Sequence, residues 1–199
     1  GSIFYGCKGL TLAPVLPATT LESDCSQHMF YGRPGSTQAP ELPATTLASN
    51  CYSSMFKGCT ALTQAPELPA TTLASNCYGS IFYGCKGLRN VIILKGVAII
   101  ETEAFFGCVG LTNVTIPNSV RKIRHRAFEG CSGLAEVIIP ESVVEYNYAP
   151  FMGCHGLKKI EVNENNPIYD SRKNCNAVIH TQSNTLIEGC ASTKIPDGI

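Results

Sequence analysis

The sequence predicts an α/β solenoid, a right-handed coil with a parallel β-sheet on its concave side and short helical or 3-10 segments on its convex side. Three observations predict it: a phenylalanine that recurs at a nearly fixed period, a Gly-Cys corner after it, and an alternating apolar segment after each corner. The unit that runs from one of these phenylalanines to the next is too short to bury a core alone. Each unit must therefore bury its apolar face against its neighbours.

The repeat keeps several rows of residues in phase. Seven of the eight phenylalanines share one register, in which three equal long steps are followed by three equal short steps. They are Phe4, Phe30, Phe56, Phe82, Phe105, Phe128 and Phe151. The first unit shows the other rows, a glycine (Gly6), a cysteine (Cys7) and a leucine (Leu10), and only Arg33 and Ser36 break them in the second unit.

The segment after each corner predicts a short β-strand. In "LTNVTIP", Leu111, Val114 and Ile116 point inward, while Asn113 and Thr115 point outward. This alternation is typical of a strand, and its spacing is that of leucine-rich repeats. Equivalent strands of successive units would lie side by side in one parallel sheet.

The rest of each unit predicts a helical return segment. Apolar residues recur there with helical spacing: Leu47, Cys51 and Met55 in the long units, and Val120, Ile123 and Ala127 in the short ones. Thr46 or Ser119 would suit the N-cap of such a segment. Gly-Cys-x-Gly would end it, because glycine allows positive φ and close backbone approach.

Prolines distinguish the first half of the chain. Pro14, Pro40 and Pro66 fall inside the strand register of the long units. Proline removes a donor from a β-ladder. We therefore expect shorter and more weakly paired strands in the first half than between Val91 and Val162.

The units resemble the BspA-like (treponemal-type) leucine-rich repeats, which carry the pattern A-F-x-x-C-x-x-L-x-x-V-x-I-P-x-S-V. "AFFGCVGLTNVTIPNSV" and "AFEGCSGLAEVIIPESV" match it nearly throughout, and the resemblance covers essentially the whole chain. It implies a bacterial or protist protein at the cell surface or outside the cell, within a longer secreted or lipid-anchored protein. It further implies adhesion and protein binding, and no enzymatic activity in the repeats. Arg33 and Ser36 depart from the pattern.

We expect a single leucine-rich repeat domain over residues 1–199. Residues 1–93 hold the long, 26-residue units, 94–162 the short, 23-residue units, and 163–199 a variant last unit. In that last unit, apolar runs at Ala177–Ile179 and Thr185–Ile187 flank a polar segment, which predicts a hairpin. Both ends are cut in mid-pattern, which indicates part of a longer protein.

Most of the 11 cysteines are predicted to be buried thiols, because nine of them lie in repeat registers. Cys25, Cys51 and Cys77 form a second row with the spacing of the long units. Cys175 and Cys190 lie outside both rows and are the best candidates for a disulfide. A zinc site is a weaker alternative, because neither the pair at Cys25 and His28 nor the pair at Cys154 and His155 has a second pair at structural-site spacing.

The sequence contains no catalytic constellation. It has no phosphate-binding loop, nucleophile elbow or H-E-x-x-H motif, and its four histidines do not recur in register. We therefore expect no catalytic residues, no cofactor and no metal. The formal net charge is zero, which argues against nucleic acid or an anionic membrane as the partner, and no apolar stretch is long enough to be a membrane helix.

Two surface features have alternative interpretations. Arg121–Arg126, "RKIRHR", is either a solvated helix face or a docking patch for an acidic partner. Asn113-Val114-Thr115 fits a glycosylation sequon, which would matter only in a eukaryotic secretory setting.

The outward strand positions are the candidate binding site, because a solenoid's concave face is an extended binding surface. Ten of them form the candidate face: Gln38, Gln64, Asn90, Ile92, Asn113, Thr115, Glu136, Ile138, Lys159 and Glu161. Leu12 and the three prolines extend the same rows. The amides and prolines would suit an uncharged or peptide-like ligand, and the charged end would suit a polar partner.

The leading hypothesis is a non-enzymatic surface module that binds a protein of a host or neighbouring cell through this face. The alternative is an accessory protein that captures carbohydrate or another nutrient. Aromatic residues on the concave rows would favour carbohydrate, and the rows contain none. A third hypothesis, an enzyme, would place the activity in a flanking region.

Overall fold

The computed structural model describes residue 16 and residues 19–70, 72–93 and 95–199. It is a β-solenoid whose successive coils are named after their row phenylalanine, from the Phe30 coil to the Phe151 coil. The first members of the predicted rows lie outside the described residues: Phe4, Gly6, Cys7, Leu10, Leu12 and Pro14.

The described strands are short, and most pair in parallel. In chain order they are β1 (Thr20–Leu21), β2 (Thr46–Leu47), β3 (Thr72–Leu73), β4 (Asn90–Ile92), β5 (Ile99–Ile100), β6 (Asn113–Thr115), β7 (Lys122–Ile123), β8 (Glu136–Ile139), β9 (Glu145–Tyr146), β10 (Lys159–Val162), β11 (Tyr169–Asp170), β12 (Ala177–His180) and β13 (Thr185–Gly189). From the Phe82 coil to the Phe128 coil, each coil has a front strand after its glycine corner and a back strand after that.

The strands form a front layer and a back layer around one core. The front layer pairs β4 with β6 and β8 with β10, all parallel. The back layer contains the parallel sheets β1-β2-β3 and β5-β7-β9. One cluster of buried apolar side chains lies between the layers and extends from Met29 to Val178.

The expectation of shorter front strands in the first half is confirmed for the described residues. The Phe56 coil contributes only one bridge, Gln64 with Asn90, and no described front strand precedes β4. By contrast, β8 and β10 each have four residues and pair at every position.

The predicted helical return segments are wrong: the only helix among the described residues is one 3-10 turn, Arg172–Asn174. In the Phe56 coil, alternate residues donate their N–H groups in different directions. Tyr52 and Ser54 donate to carbonyls of the next coil, at 3.1 and 2.8 Å. Ser53 and Met55 donate to carbonyls three residues back in their own coil, at 3.1 and 3.2 Å. In an α-helix all four N–H groups would bond to carbonyls of the same segment. Here two of them bond to the next coil instead, so the segment does not form a helix.

Neither predicted N-cap residue caps a helix. Thr46 lies in β2 and pairs with Thr20 and Thr72 of the neighbouring coils. The Ser119 hydroxyl donates to the carbonyl of Val97 in the preceding coil, at 3.0 Å. Both residues therefore belong to the back layer, where they help to join successive coils.

The phenylalanine row is confirmed as a buried spine. From Phe30 to Phe151, ring centroids of successive coils lie 5.0 to 5.6 Å apart in stacked pairs. All six described rings are 2% exposed or less. Such stacking adds to the free energy gained by burying the rings.

The Gly-Cys row forms a second element of the spine. The Cys108 thiol donates a hydrogen bond to the carbonyl of Phe82 in the preceding coil, at 3.1 Å, and Cys131 bonds in the same way to Phe105. Cys59, Cys85 and Cys154 repeat this bond. Burial raises the pKa of Cys108 to about 12, so its thiol stays protonated and remains a donor.

Eight of the ten described cysteines are buried, and all eight are free thiols. The prediction that most cysteines are buried thiols is thus confirmed. Cys175 and Cys190 do not form the disulfide for which they were the best candidates. Cys190 instead contacts the carbonyl of Asn176, at 3.5 Å.

The two glycines of a Gly-Cys-x-Gly corner are needed for different reasons, positive φ at the first and close backbone approach at the second. Gly130 has φ +71°, a conformation that side chains disfavour. Gly133 lies so close to the preceding coil that a Cβ atom would stand 2.6 Å from the carbonyl oxygen of Val109. A side chain would strain the backbone at Gly130 and the contact between coils at Gly133.

The two residues of the second unit that depart from the repeat pattern are both buried. Arg33 and Ser36 are 1% and 5% exposed. The guanidinium of Arg33 lies 5.2 Å from the ring centroid of Phe30, within the range of a cation–π contact. The Ser36 N–H donates to the carbonyl of Arg33, at 3.3 Å.

The predicted terminal hairpin is confirmed as β12 and β13, to which β11 adds a third antiparallel strand. Side chains of the hairpin sheet accept hydrogen bonds from the last coil, where backbone carbonyls of a following coil accept them elsewhere in the solenoid. Phe128 donates its N–H to the carbonyl of Pro150 in the next coil, whereas Phe151 donates to a carboxylate oxygen of Glu188, at 3.2 Å. The sheet therefore covers the last coil.

Candidate functional site

All ten residues of the candidate face are exposed on the front layer. Pairing between strands brings nine of them into two rows, and the tenth, Gln38, precedes the first pair. One row joins Gln64 to Asn90 and Asn90 to Asn113, and continues with the pair Glu136 and Lys159. The other pairs Ile92 with Thr115 and Ile138 with Glu161.

Two apolar side chains project from this polar face. Ile92 is 59% exposed and Ile138 is 52% exposed, and Thr115 lies on the strand between theirs. Their neighbours Val91 and Val137 point inward and are buried. Packing therefore does not require an isoleucine at either outward position.

The C-terminal end of the face is charged. The Lys159 ammonium lies 2.6 Å from a carboxylate oxygen of Glu161, two residues along the same strand. The hydrogen bond between them raises the pKa of Lys159. This end of the candidate face therefore presents an ion pair without net charge, next to the carboxylate of Glu136.

The two described prolines of the predicted rows, Pro40 and Pro66, do not extend those rows outward. Pro40 is buried and Pro66 is half-buried, whereas the following Glu41 and Glu67 are exposed. The side chain that turns inward next is Leu42 or Leu68, both 3% exposed. The first-half segments thus present carboxylates at these positions.

The basic segment Arg121–Arg126 is not a helix face, because it includes β7 of the back layer. Three of its cations pair with carboxylates, most of which lie on neighbouring coils. Lys122 pairs with Glu145, and Arg124 with Glu101, which is 2% exposed, at 2.8 Å. Arg126 also pairs with Glu103 and Glu129. These pairs leave less positive charge for an acidic partner.

The sequence interpretation missed an aromatic stack formed by the two residues that follow Phe82 and Phe105. The rings of Tyr83 and Phe106 stack at 4.5 Å. The Lys57 ammonium lies 3.9 Å from the Tyr83 ring centroid, and the Arg126 guanidinium lies 4.8 Å from that of Phe106. The signal was their shared register, in which a tyrosine follows Phe4, Phe30 and Phe82.

No histidine belongs to the candidate face. The Nδ1 atom of His125 lies 3.1 Å from the carbonyl oxygen of Tyr148, on whose ring its own ring stacks. Over residues 19–70, 72–93 and 95–199, no three His, Cys, Asp or Glu side chains form a group able to hold a metal ion. No helix in these ranges has the length and apolar character needed to span a membrane.

Comparison with solved structures finds the same fold. The chain is similar to a leucine rich cell surface protein from Faecalibacterium prausnitzii A2-165, with 21% identity and a TM-score of 0.57 over 84% of this chain and 51% of that one. It is similar to a leucine-rich repeat protein from Eubacterium ventriosum ATCC 27560, with 17% identity and a TM-score of 0.61 over 81% of this chain and 42% of that one. It is also similar to a leucine-rich repeat protein from Bacteroides ovatus ATCC 8483, with 24% identity and a TM-score of 0.52 over 82% of this chain and 52% of that one. The chain thus spans about half or less of each of these structures.

Comparison by sequence identifies the family. No curated protein matches the chain significantly. The model of the BspA type leucine rich repeat region matches residues 75–180, more than half of the chain, in six copies. Its matched region includes the Phe–Cys spine from Phe82 to Cys154 and the front strands from β4 to β10. This chain therefore belongs to the BspA-type leucine-rich repeat proteins.

Proposed function

We propose that the chain is a non-enzymatic module of a cell-surface protein, and that it binds a protein partner through the candidate face. The observation that carries the proposal is the pair of exposed isoleucines, Ile92 and Ile138, on a polar face. Apolar anchors surrounded by polar side chains are typical of protein–protein contact sites. The name of the Faecalibacterium protein, a cell surface protein, supports the location.

A protein is favoured over a carbohydrate as the partner. Carbohydrate rings pack on flat aromatic side chains, and none of the ten positions holds an aromatic residue. The stacked rings of Tyr83 and Phe106 lie outside the candidate face, and each covers a face of the other. The mixed amide, apolar and charged positions instead match the polar rim and apolar centre of a protein interface.

Binding of the fluorescently labelled chain to intact epithelial and bacterial cells tests the proposal. We expect saturable binding that is lost after the cells are treated with trypsin and retained after periodate oxidation of their glycans. The double variant Ile92→Ser/Ile138→Ser should bind at least tenfold more weakly, because loss of two anchors costs more than about 1.4 kcal/mol.

The matched control is Met152→Ser, since Met152 is 42% exposed but lies outside the face. It should bind as the unchanged chain does, and all variants should unfold at the same temperature. Binding that survives trypsin and disappears after periodate would favour carbohydrate capture. Equal binding by the double variant and the control would contradict the use of this face.

A further inference from the structure

A groove runs along the front segments of the Phe30 and Phe56 coils, residues 37–43 and 63–69, which line it together. No backbone hydrogen bond joins these two described segments, although the equivalent segments of later coils pair as strands. Proline lacks the N–H group that a ladder requires, and each segment contains two prolines, at positions 40 and 43 or 66 and 69. The proline pairs therefore account for the gap.

The groove has two lobes that adjoin one another. A lobe of about 290 Å³ lies between Thr37, Gln38, Thr63 and Gln64. A second lobe of about 580 Å³ extends toward the prolines and the two glutamates, and both lobes share Gln64 and Pro66. Seven extended residues on each wall span roughly 20 Å. The groove is thus long enough for five or six residues of an extended peptide.

The walls differ in chemistry along this length. At one end, the amides of Gln38 and Gln64 can both donate and accept hydrogen bonds, as a peptide backbone requires. Toward the other end, Glu41 and Glu67 are exposed at equivalent positions of adjacent coils. Neither forms an ion pair with a cation of the described residues. Both carboxylates line the same lobe of the groove, so together they favour a cation bound there.

We propose that this groove binds an extended peptide segment of the protein partner and receives one of its Arg or Lys side chains between Glu41 and Glu67. The proposal rests on the proposed function, because it assigns part of the protein partner to the N-terminal end of the candidate face. A guanidinium fits best, since its planar donors can bond to both carboxylates at once.

A positional-scanning array of capped hexapeptides tests the groove with defined probes. In each pool, one position is fixed as one of the twenty amino acids and the other positions are mixed. We expect pools with a fixed Arg or Lys to be enriched at least tenfold over pools with a fixed Glu. Enrichment should fall when the salt concentration rises, because the contact is exposed to solvent. Replacing Arg by citrulline, its neutral isostere, should abolish the enrichment.

The double variant Glu41→Gln/Glu67→Gln should lose the enrichment and keep its unfolding temperature, because both side chains are exposed. The matched control Glu141→Gln/Glu164→Gln changes two exposed carboxylates elsewhere and should keep it. Absence of enrichment in the unchanged chain, or enrichment that persists in the groove variant, would overturn the proposal. If the array test fails but cell binding still depends on Ile92 and Ile138, only the groove proposal is overturned. If cell binding does not depend on these isoleucines, the proposed function is overturned whatever the array shows.

Discussion

At the scale of single residues, cysteine has a role in the spine that an apolar side chain of the same size could not have. Its thiol fills core volume and also donates to a phenylalanine carbonyl of the preceding coil. The buried row was predictable because the sequence alone shows a small residue in a fixed register. The hydrogen bond was not predictable, because its acceptor lies a whole unit or more earlier in the chain.

Truncation of one row phenylalanine should show how much the spine contributes. Phe128 is fully buried and stacks on Phe105 and Phe151 at 5.0 Å on each side. We expect Phe128→Ala to lower the free energy of unfolding by roughly 3 to 5 kcal/mol, as measured by urea denaturation. The half-buried Phe106, changed to Ala, serves as the control and should cost less. A loss below about 1 kcal/mol at Phe128 would contradict a buried spine.

At the scale of elements, two features were predicted with different success. The front strands were predicted because alternation identifies a strand directly, and the terminal hairpin because a polar segment separates two apolar runs. The return segment was mistaken for a helix because a spacing of four residues is also a multiple of the two-residue period of extended chain. Leu47, Cys51 and Met55 are indeed buried. Positive φ at Asn50 and Ser54 bends that segment, and neither residue type signals it uniquely.

The hairpin's contact with the last coil should depend on pH through Glu188. Burial raises the pKa of Glu188 to about 7, from an ordinary value of 4.5. The folded chain therefore binds this proton more tightly than the unfolded chain does. The resulting stabilisation is fully present below about pH 4.5 and is lost as the pH rises to about 7. We expect a decrease of order 2 kcal/mol over this window in the free energy of unfolding.

The variant Glu188→Gln isolates this contribution. Its amide oxygen can still accept the N–H of Phe151, but it does not titrate. Denaturation at several pH values should therefore give a flatter profile for Glu188→Gln than for the unchanged chain. Glu164→Gln removes an exposed carboxylate and should leave the profile unchanged. Parallel profiles for the chain and Glu188→Gln would rule out this explanation.

At the scale of the whole molecule, the exposure of the candidate face followed from the repeat itself. Once the inward row is fixed by Val91, Val137 and Ile160, the alternate positions must point outward. The long-range pairs did not follow, because Glu101 and Arg124 belong to different coils and meet only when the coils stack. The burial of Pro40 was also missed, because proline changes which residues of its segment turn inward.

The two halves of the molecule should differ in amide hydrogen exchange. Strands β8 and β10 pair at four positions, whereas segments 37–43 and 63–69 do not pair with each other. Mass spectrometry of exchanged peptides should show that residues 136–139 and 159–162 are protected for longer than the non-proline amides of those two segments. Equal or better protection of the first-half segments would refute the difference in pairing.

The spine continues without interruption where the unit length changes. Phe82 and Phe105 bound a short unit and stack at 5.6 Å, the same separation as Phe56 and Phe82, which bound a long unit. Long coils place eight residues between Leu47 and Phe56, and short coils place four between Ile123 and Phe128. Most of the change in length is thus absorbed by this return segment. A gene that gains or loses a whole unit would lengthen or shorten the array by one rung, and the surviving rungs would keep their inherited contacts.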